Sequence, residues 1–361
     1  MFKKIKNKLI TKSAKVESVK VESDEKAIVD CSLNDEFLPL QSKKQQPAVF
    51  VHLPKTAGTS FRNALEKHFN VVNDYGVDAA ETTAQIRELA YGESADLYKL
   101  QQWFLNENAW LCGHYPLIKY SNFARVDRLV TFVREPVSQI ISHYNHFKNH
   151  KDYNGDLESF VKNPSFRNLQ ARMLANVPLG LIGHVGITKS YQESVDLVNH
   201  HLKMNLPVLT SNASKHKVLS TDSISEQQHQ VIKNHNGREL ALYKHCVWLH
   251  ESRYKLFKEG KPWVYGFAAI NPNNVLHGVA FYDDNDDVVE LSIVIDNKVV
   301  ATVIAEHLHH GHGGLIFPRN RYVAYNFRLN ALNDDVFIDK TINVVVKNTG
   351  QQVNFNQLKV M

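Results

Sequence analysis

The sequence predicts an α/β fold, a parallel sheet flanked by helices, followed by an all-β sandwich domain. Three observations carry this expectation. Short apolar runs alternate with segments of helical period from Pro47 to about Lys258, a Gly260-Lys261-Pro262 break follows, and β-rich runs separated by Asn, Asp and Gly clusters fill the remainder. At 361 residues the chain also exceeds what one domain of about 100 to 200 residues usually holds. Its 43% hydrophobic, 22% charged and 10% aromatic residues are those of a globular protein and exclude wholesale disorder or a collagen-like fibre.

The elements follow in chain order. Residues 1–46, rich in Lys, Glu and Ser, read as a disordered basic tail. In it Phe2, Ile5, Leu9 and Ile10 stand at helical spacing among Lys3, Lys4, Lys6 and Lys8, which suits a short basic helix in peripheral contact with an anionic membrane surface; a merely solvated tail is the competing reading. Residues 47–259 form the first folded domain. Ala48–Leu53 reads as a buried strand, Pro54–Thr59 as a loop and Ser60–Phe69 as a helix capped at Thr59 or Ser60. Ala109–Cys112 and Leu129–Val133 are further strands. Helical patterns cover residues 81–90, 94–105, 137–148, 190–202, 225–233 and 238–257. Residues 260–361 form the β domain, with strands at 263–270, 275–282, 288–295, 298–305, 322–329 and 341–348 and a hairpin turn at Asp296-Asn297.

Charge and cysteine content narrow the function. With 42 Lys and Arg against 37 Asp and Glu, the net charge of +5 falls short of a nucleic-acid binder's footprint yet suits an anionic ligand. Cys31, Cys112 and Cys246 stand far apart and in no ligand spacing, which supports neither a disulfide framework nor a zinc site and points to a reducing compartment. No run approaches the roughly 18 apolar residues of a membrane span, and the N-terminus lacks the apolar core of a signal peptide, so the expectation is cytoplasmic.

Two segments carry chemistry. Pro54-Lys55-Thr56-Ala57-Gly58-Thr59-Ser60 sits between a strand and a helix, where backbone N–H groups converge on an anion and a Lys and hydroxyls add charge and donors. The loop is P-loop-like without being GxxxxGK[ST], since its Lys stands three residues before its only Gly. In Leu129–Tyr144 a strand ends at Arg134, Pro136 opens a helix, and Ser142 lies two turns along it. Arg and Ser so placed cradle a second phosphate, whereas an Arg paired with Glu135 is the plainer reading.

Together the segments resemble those of sulfotransferases that use 3′-phosphoadenosine 5′-phosphosulfate (PAPS). FVHLPKTAGTSFRNAL is similar to the family's 5′-phosphosulfate loop and TFVREPVSQIISHY to its 3′-phosphate motif. The branch that the chain resembles is the carbohydrate sulfotransferases related to heparan sulfate 2-O-sulfotransferase (sulfotransferase family 2). Asn168-Leu169-Gln170-Ala171-Arg172, Val185-Gly186-Ile187-Thr188-Lys189, Gln192-Glu193-Ser194 and Leu242-Tyr243 are similar to its later segments, so the likeness spans Pro47 to Phe257. The resemblance implies that Lys55 contacts the oxygen bridging sulfate and 5′-phosphate, that Thr56, Ala57, Gly58, Thr59 and Ser60 bind the 5′-phosphate, and that Arg134 and Ser142 hold the 3′-phosphate. PAPS would be the co-substrate and no metal is required. His114, in Cys112-Gly113-His114, matches the family's catalytic His and suits a general base; Cys112 stands where the heparan-type enzymes carry a second His. Lys189 replaces an acidic residue of the pattern.

Arg172, Lys119 and Arg62 are candidates to face the acceptor, Arg172 first because of its Asn-x-Gln-x-Arg context. The run His307-Leu308-His309-His310-Gly311-His312 invites a metal, but Gly311, Gly313 and Gly314 mark a loop and no acidic or Cys ligand accompanies it. The expected activity is sulfuryl transfer to a hydroxyl of a carbohydrate or glycolipid acceptor by a cytoplasmic enzyme, peripheral at the inner membrane face or assembled as a homo-oligomer. The alternatives are a degenerate glycan-binding scaffold and an ATP-dependent phosphotransferase.

Overall fold

The computed structural model describes residues 46–209, 218–329, 340–356 and 358. The basic tail, its amphipathic helix and Cys31 lie outside the described residues. The first sheet consists of β1 (Ala48–Val51), β2 (Val71–Asp74), β3 (Trp110–Gly113), β4 (Leu129–Val133) and β5 (His184–Ile187), all parallel in the order β2-β3-β1-β4-β5. β1, β3, β4 and β5 are buried at every residue, which is why β1 reads as an unbroken apolar run and β4 as one interrupted only by Thr131. Along β1 the pleat sends Val49 and Val51 into one core and Ala48 and Phe50 into another, so both faces are covered. Two strands lack the sequence signature. β2 ends in the polar pair Asn73-Asp74, and β5 alternates His184 and Gly186 with apolar residues.

The helices are α1 (Gly58–Glu66), α2 (Ala84–Ile86), α3 (Leu97–Glu107), α4 (Pro136–His150), α5 (Leu157–Lys162), α6 (Leu169–Met173), α7 (Tyr191–Leu202), α8 (Glu226–His235) and α9 (Gly237–Lys258). The helix expected over 81–90 is replaced by the single turn α2 and a π-helical turn at Arg87–Tyr91. Thr82 and Thr83 explain this. Their hydroxyls accept the N–H groups of Tyr75 (3.0 Å) and Asn73 (2.9 Å), holding residues 82–83 against the edge of β2 so that helix begins only at Ala84.

The C-terminal region forms two antiparallel sheets. β6 (Tyr265–Ile270), β7 (Val275–Phe281), β10 (His307–Leu308) and β11 (Tyr322–Arg328) run in the order β10-β11-β7-β6. β8 (Glu290–Ile295), β9 (Lys298–Ile304) and β12 (Ile342–Val346) run in the order β12-β8-β9. Asp296 and Asn297 both take positive φ at the β8–β9 hairpin, as a tight primed turn requires. The four-stranded sheet is buried on both sides. Tyr265, Val279 and Phe281 join the α/β core, while Leu276, Ala280 and Tyr282 meet Leu291, Ile293 and Val344 of the three-stranded sheet. It docks at the amino ends of the parallel strands: Val126, just before β4, donates its N–H to Ile316 O (2.9 Å), and Arg125 reaches Asp283 O (3.1 Å). The carboxyl ends of β1, β3 and β4 stay clear of these contacts.

Candidate functional site

Between β1 and α1 the backbone makes two left-handed residues, Lys55 (φ 68°) and Ala57 (φ 69°). Non-glycine residues hold such angles only where their surroundings impose them, and here four neighbours do. Thr56 is fully buried and donates to Leu53 O (2.9 Å); Gln139 of α4 donates to Pro54 O (2.9 Å); Arg134 Nη1 donates to Lys55 O (3.3 Å); and Thr188 Oγ1 donates to Thr56 O (2.9 Å) and lies 3.0 Å from Val133 O. The loop carbonyls are thereby occupied from outside. α1 begins at Gly58 with Ala57 as N-cap, not at Ser60 as the pattern suggests, because left-handed Ala57 turns the chain into the helix two residues early. No side chain caps it; the Ser60 N–H donates to Ala57 O (3.1 Å), and the N–H groups of Gly58 and Thr59 ahead of it are the donors a helix start offers an anion.

Gly58 is required by space. A Cβ there would stand 2.0 Å from Cδ2 and 2.5 Å from Nε2 of the buried His52. His52 Nδ1 is 2.9 Å from Tyr75 Oη, and its ring lies against that of His114 with centroids 4.6 Å apart. Burial, then the neighbouring His114, keeps His52 neutral, with its pKa well below 6.5.

Arg134 follows β4 directly. Glu135 favours its charge through space but forms no ion pair with it, since that carboxylate caps α4 by accepting N–H groups of Val137 (3.0 Å) and Ser138 (2.7 Å). Among the described residues neither Lys55 nor Arg134 has a carboxylate within ion-pair distance. Burial first, and then the Arg134 charge, lowers the Lys55 pKa; burial lowers that of Arg134. Ser142 is half-buried two turns into α4 and has no hydrogen-bond partner among the described residues. Thr59 is half-buried on the first turn of α1 and Ser60 is buried there.

His114 leaves the carboxyl end of β3. Its backbone N–H is held by Asp74 O (2.9 Å) and its Nδ1 bonds the His52 carbonyl. A carbonyl only accepts, so Nδ1 carries the proton and Nε2 presents a lone pair. Burial lowers the His114 pKa from 6.5, partly offset by that bond. The residue as a whole is nevertheless exposed at the surface.

Other expectations fare differently. Lys119 is committed to buried Asp74 (2.8 Å), which also accepts from Tyr91 (2.7 Å) and Tyr120 (2.8 Å), and so braces β2 rather than facing an acceptor. Arg62 lies over Tyr75 (5.4 Å) and beside Glu66 (3.4 Å). Arg172 is exposed on α6, donates to Ser165 O (2.6 Å), and among the described residues makes no contact with Lys55, Arg134 or His114. His309 and His312 form one hydrogen-bonded pair (3.0 Å) in a loop whose carbonyls at His309 and Leu315 are bonded by Arg321 (both 2.9 Å). The sequence suggests His52, on the strand before the loop, as a residue of the core or of the layer behind the site, and it lies buried against Gly58; Tyr75 and Gln139 were missed, and Thr188 carried a signal only through its family-like segment.

No protein-family model matches the chain, and no curated protein sequence matches it. Among solved structures it is similar to a sulfotransferase from Alicyclobacillus acidocaldarius, at 14% identity and a TM-score of 0.35, covering 55% of this chain and 95% of that one. It is also similar to a mouse sulfotransferase complexed with PAP, at 9% identity and a TM-score of 0.38, covering 58% of this chain and 89% of that one. Likeness at these scores carries no weight for activity, which has to follow from the side chains of the site.

Proposed function

We propose that the chain is a sulfotransferase that moves the sulfuryl group of PAPS to a hydroxyl of a carbohydrate or glycolipid. One observation carries this reading: Lys55 and Arg134, two half-buried cations without carboxylate partners among the described residues, stand together at the carboxyl ends of β1 and β4, where Arg134 Nη1 donates to the backbone carbonyl of Lys55 (3.3 Å), beside a helix that no side chain caps. Unpaired buried charge is costly and is relieved by an anionic ligand. Two cations on neighbouring strand ends suit a ligand phosphorylated at two places.

In this reading the loop N–H groups, Thr59 and Ser60 hold the 5′-phosphate, while Arg134 and Ser142 hold the 3′-phosphate. His114 Nε2 takes the proton of the acceptor hydroxyl as its oxygen bonds sulfur. The bond between sulfur and the 5′-phosphate oxygen breaks, and Lys55 meets the charge that develops on that oxygen. The products are a sulfate ester and adenosine 3′,5′-bisphosphate. Among the described residues no helix is long and apolar enough to cross a membrane; a glycolipid acceptor would be reached through peripheral contact by the basic N-terminal tail.

A thermal-shift titration with adenosine 3′,5′-bisphosphate, with ADP and with ATP plus magnesium, tests the donor. The bisphosphate at about a hundred times its Kd adds about 2.7 kcal/mol, and Arg134→Ala abolishes the shift. Equal stabilisation by ATP returns the phosphotransferase reading, and no response to any nucleotide returns the scaffold. Transfer of radiolabelled sulfate undiminished in Lys55→Ala would remove the role given to that residue.

A further inference from the structure

Arg134 is held by its backbone as well as its side chain. Its N–H donates to Gln170 Oε1 (2.9 Å) and its carbonyl accepts from Gln170 Nε2 (3.0 Å), so the amide pairs with the chain one residue past the carboxyl end of β4, as a neighbouring strand would. Gln170 is fully buried, and behind it lies Glu239 of α9, itself 1% exposed. The carboxylate of Glu239 accepts Gln170 N–H (2.6 Å), Gln170 Nε2 (3.2 Å) and, at 3.5 Å, the N–H of Ala171. Asn168 closes the same junction, with its Oδ1 accepting Glu239 N–H (3.3 Å) and its Nδ2 donating to His235 O (3.1 Å).

The chemistry fixes a direction. An amide has one accepting and one donating end, and flipped by half a turn Gln170 would set NH2 against the Arg134 N–H and oxygen against its carbonyl. A carboxylate can only accept, so Glu239 compels Nε2 to face it and thereby delivers Oε1 to Arg134. Burial raises the Glu239 carboxyl to about 7, opposed by the Gln170 and Ala171 bonds and the Arg172 charge. Burying a carboxylate is costly unless N–H donors satisfy it, and here the Gln170 N–H, Gln170 Nε2 and Ala171 N–H do so in one fixed orientation.

We infer that Glu239 is a positioning residue for the donor site, acting through Gln170 to hold Arg134 where a ligand's 3′-phosphate arrives. This rests on the donor reading above. It also gives the Asn168–Arg172 segment a role on the nucleotide side of the enzyme, through Gln170.

The test is a double-mutant cycle on the full chain at pH 8, where Glu239 is ionised, with adenosine 3′,5′-bisphosphate and adenosine 5′-monophosphate as probes in calorimetry. Glu239→Gln weakens the bisphosphate about tenfold and leaves the monophosphate unchanged; in an Arg134→Ala background it changes neither. Equal losses for both probes, or a loss that persists without Arg134, would mean a merely structural role and overturn the inference. A wild-type protein with no preference for the bisphosphate overturns the donor reading and the relay with it. Should Glu239→Gln fail to fold, Gln170→Met, an unbranched side chain of similar length, provides the same comparison with the same expected and refuting results.

Discussion

Gly58→Ala separates two explanations of the loop glycine. If Gly58 serves only helix geometry, alanine should help, because replacing Gly in a helix gains up to about 1 kcal/mol and no positive φ is needed at this position. The space around it says otherwise. The new Cβ would be 2.0 Å from Cδ2, 2.5 Å from Nε2 and 2.8 Å from Cγ of His52, so the imidazole must move. That ring is confined by Tyr75 Oη at 2.9 Å and by stacking on Phe50 at a centroid distance of 5.7 Å. Overpacking of this kind costs about 1–3 kcal/mol and outweighs the helix gain. It also displaces the carbonyl that orients His114, and a misplacement of about 1 Å costs on the order of a hundredfold in rate. Thermal melting together with sulfate transfer is the assay: the variant melts several degrees lower and keeps about one per cent of the activity. A variant that melts at or above the wild-type temperature with full activity would refute the steric account of the loop.

Further outcomes follow from the same geometry. His114→Asn keeps nucleotide affinity but loses on the order of 10²–10⁴ in kcat; only the neutral imidazole accepts a proton, so wild-type kcat/KM holds above pH 6.5 and falls as pH drops through the lowered pKa, a limb the variant lacks. His143 lies against the rings of Phe147, Phe160 and Phe166 with its Nδ1 unpartnered, and burial lowers it to about 4. The unfolded chain therefore binds the extra proton as pH falls below 6.5, and up to about 3 kcal/mol of stability is lost between 6.5 and about 4. Urea unfolding of His143→Phe at pH 7 and 4.5 should show a smaller drop than wild type; identical drops would show that His143 does not contribute. Buried Arg253 donates to Ile182 O (3.0 Å), Gly183 O (3.2 Å) and Gly180 O (3.1 Å) and faces the Tyr265 ring at 4.6 Å. Arg253→Met strips those carbonyls and costs about 3–5 kcal/mol, while bisphosphate affinity measured below the melting transition stays at the wild-type value.

The legible parts of the sequence were those whose residues have no reason to be there otherwise. Lys55 to Ser60 is not explained by apolar periodicity, and Glu135-Pro136 states a helix start through cap and ring, so both chemistry-bearing segments could be placed. The start of α1 could not, because Ala57 is turned left-handed by Arg134, Gln139 and Thr188, residues 79 to 132 positions from the loop residues they bond. Tertiary bonds outweighed local cap preference. β2 and β5 escaped for a related reason: they are the two edges of the sheet, where pairing on one side suffices and a strand tolerates Asn73, Asp74, His184 and Gly186. The tautomer of His114 was likewise invisible, being set by the backbone of His52, 62 residues away.

The strongest sign of function is a contrast among cations inside one fold. Arg128 gives its donors to the carbonyls of Pro47 and Gln46, and Arg253 satisfies three carbonyls at once. At the amino ends of the strands, where the β sheets dock, buried guanidinium groups are thus held by two or three backbone carbonyls each, although Arg128 Nη1 and Arg253 Nε stay unpartnered among the described residues. At the carboxyl ends the chain does the opposite. Arg134 has one side-chain hydrogen bond among the described residues, to Lys55 O at 3.3 Å, and is set next to Lys55, whose own charge it repels. The surrounding structure reinforces that arrangement, since Glu135 is diverted to cap a helix and Glu239 is spent on Gln170. Glu135, next to Arg134 in sequence, favours its charge through space but forms no ion pair with it. Stability alone gives no reason to set Lys55 and Arg134 side by side without an ion pair; the doubly phosphorylated ligand of the proposed function supplies one.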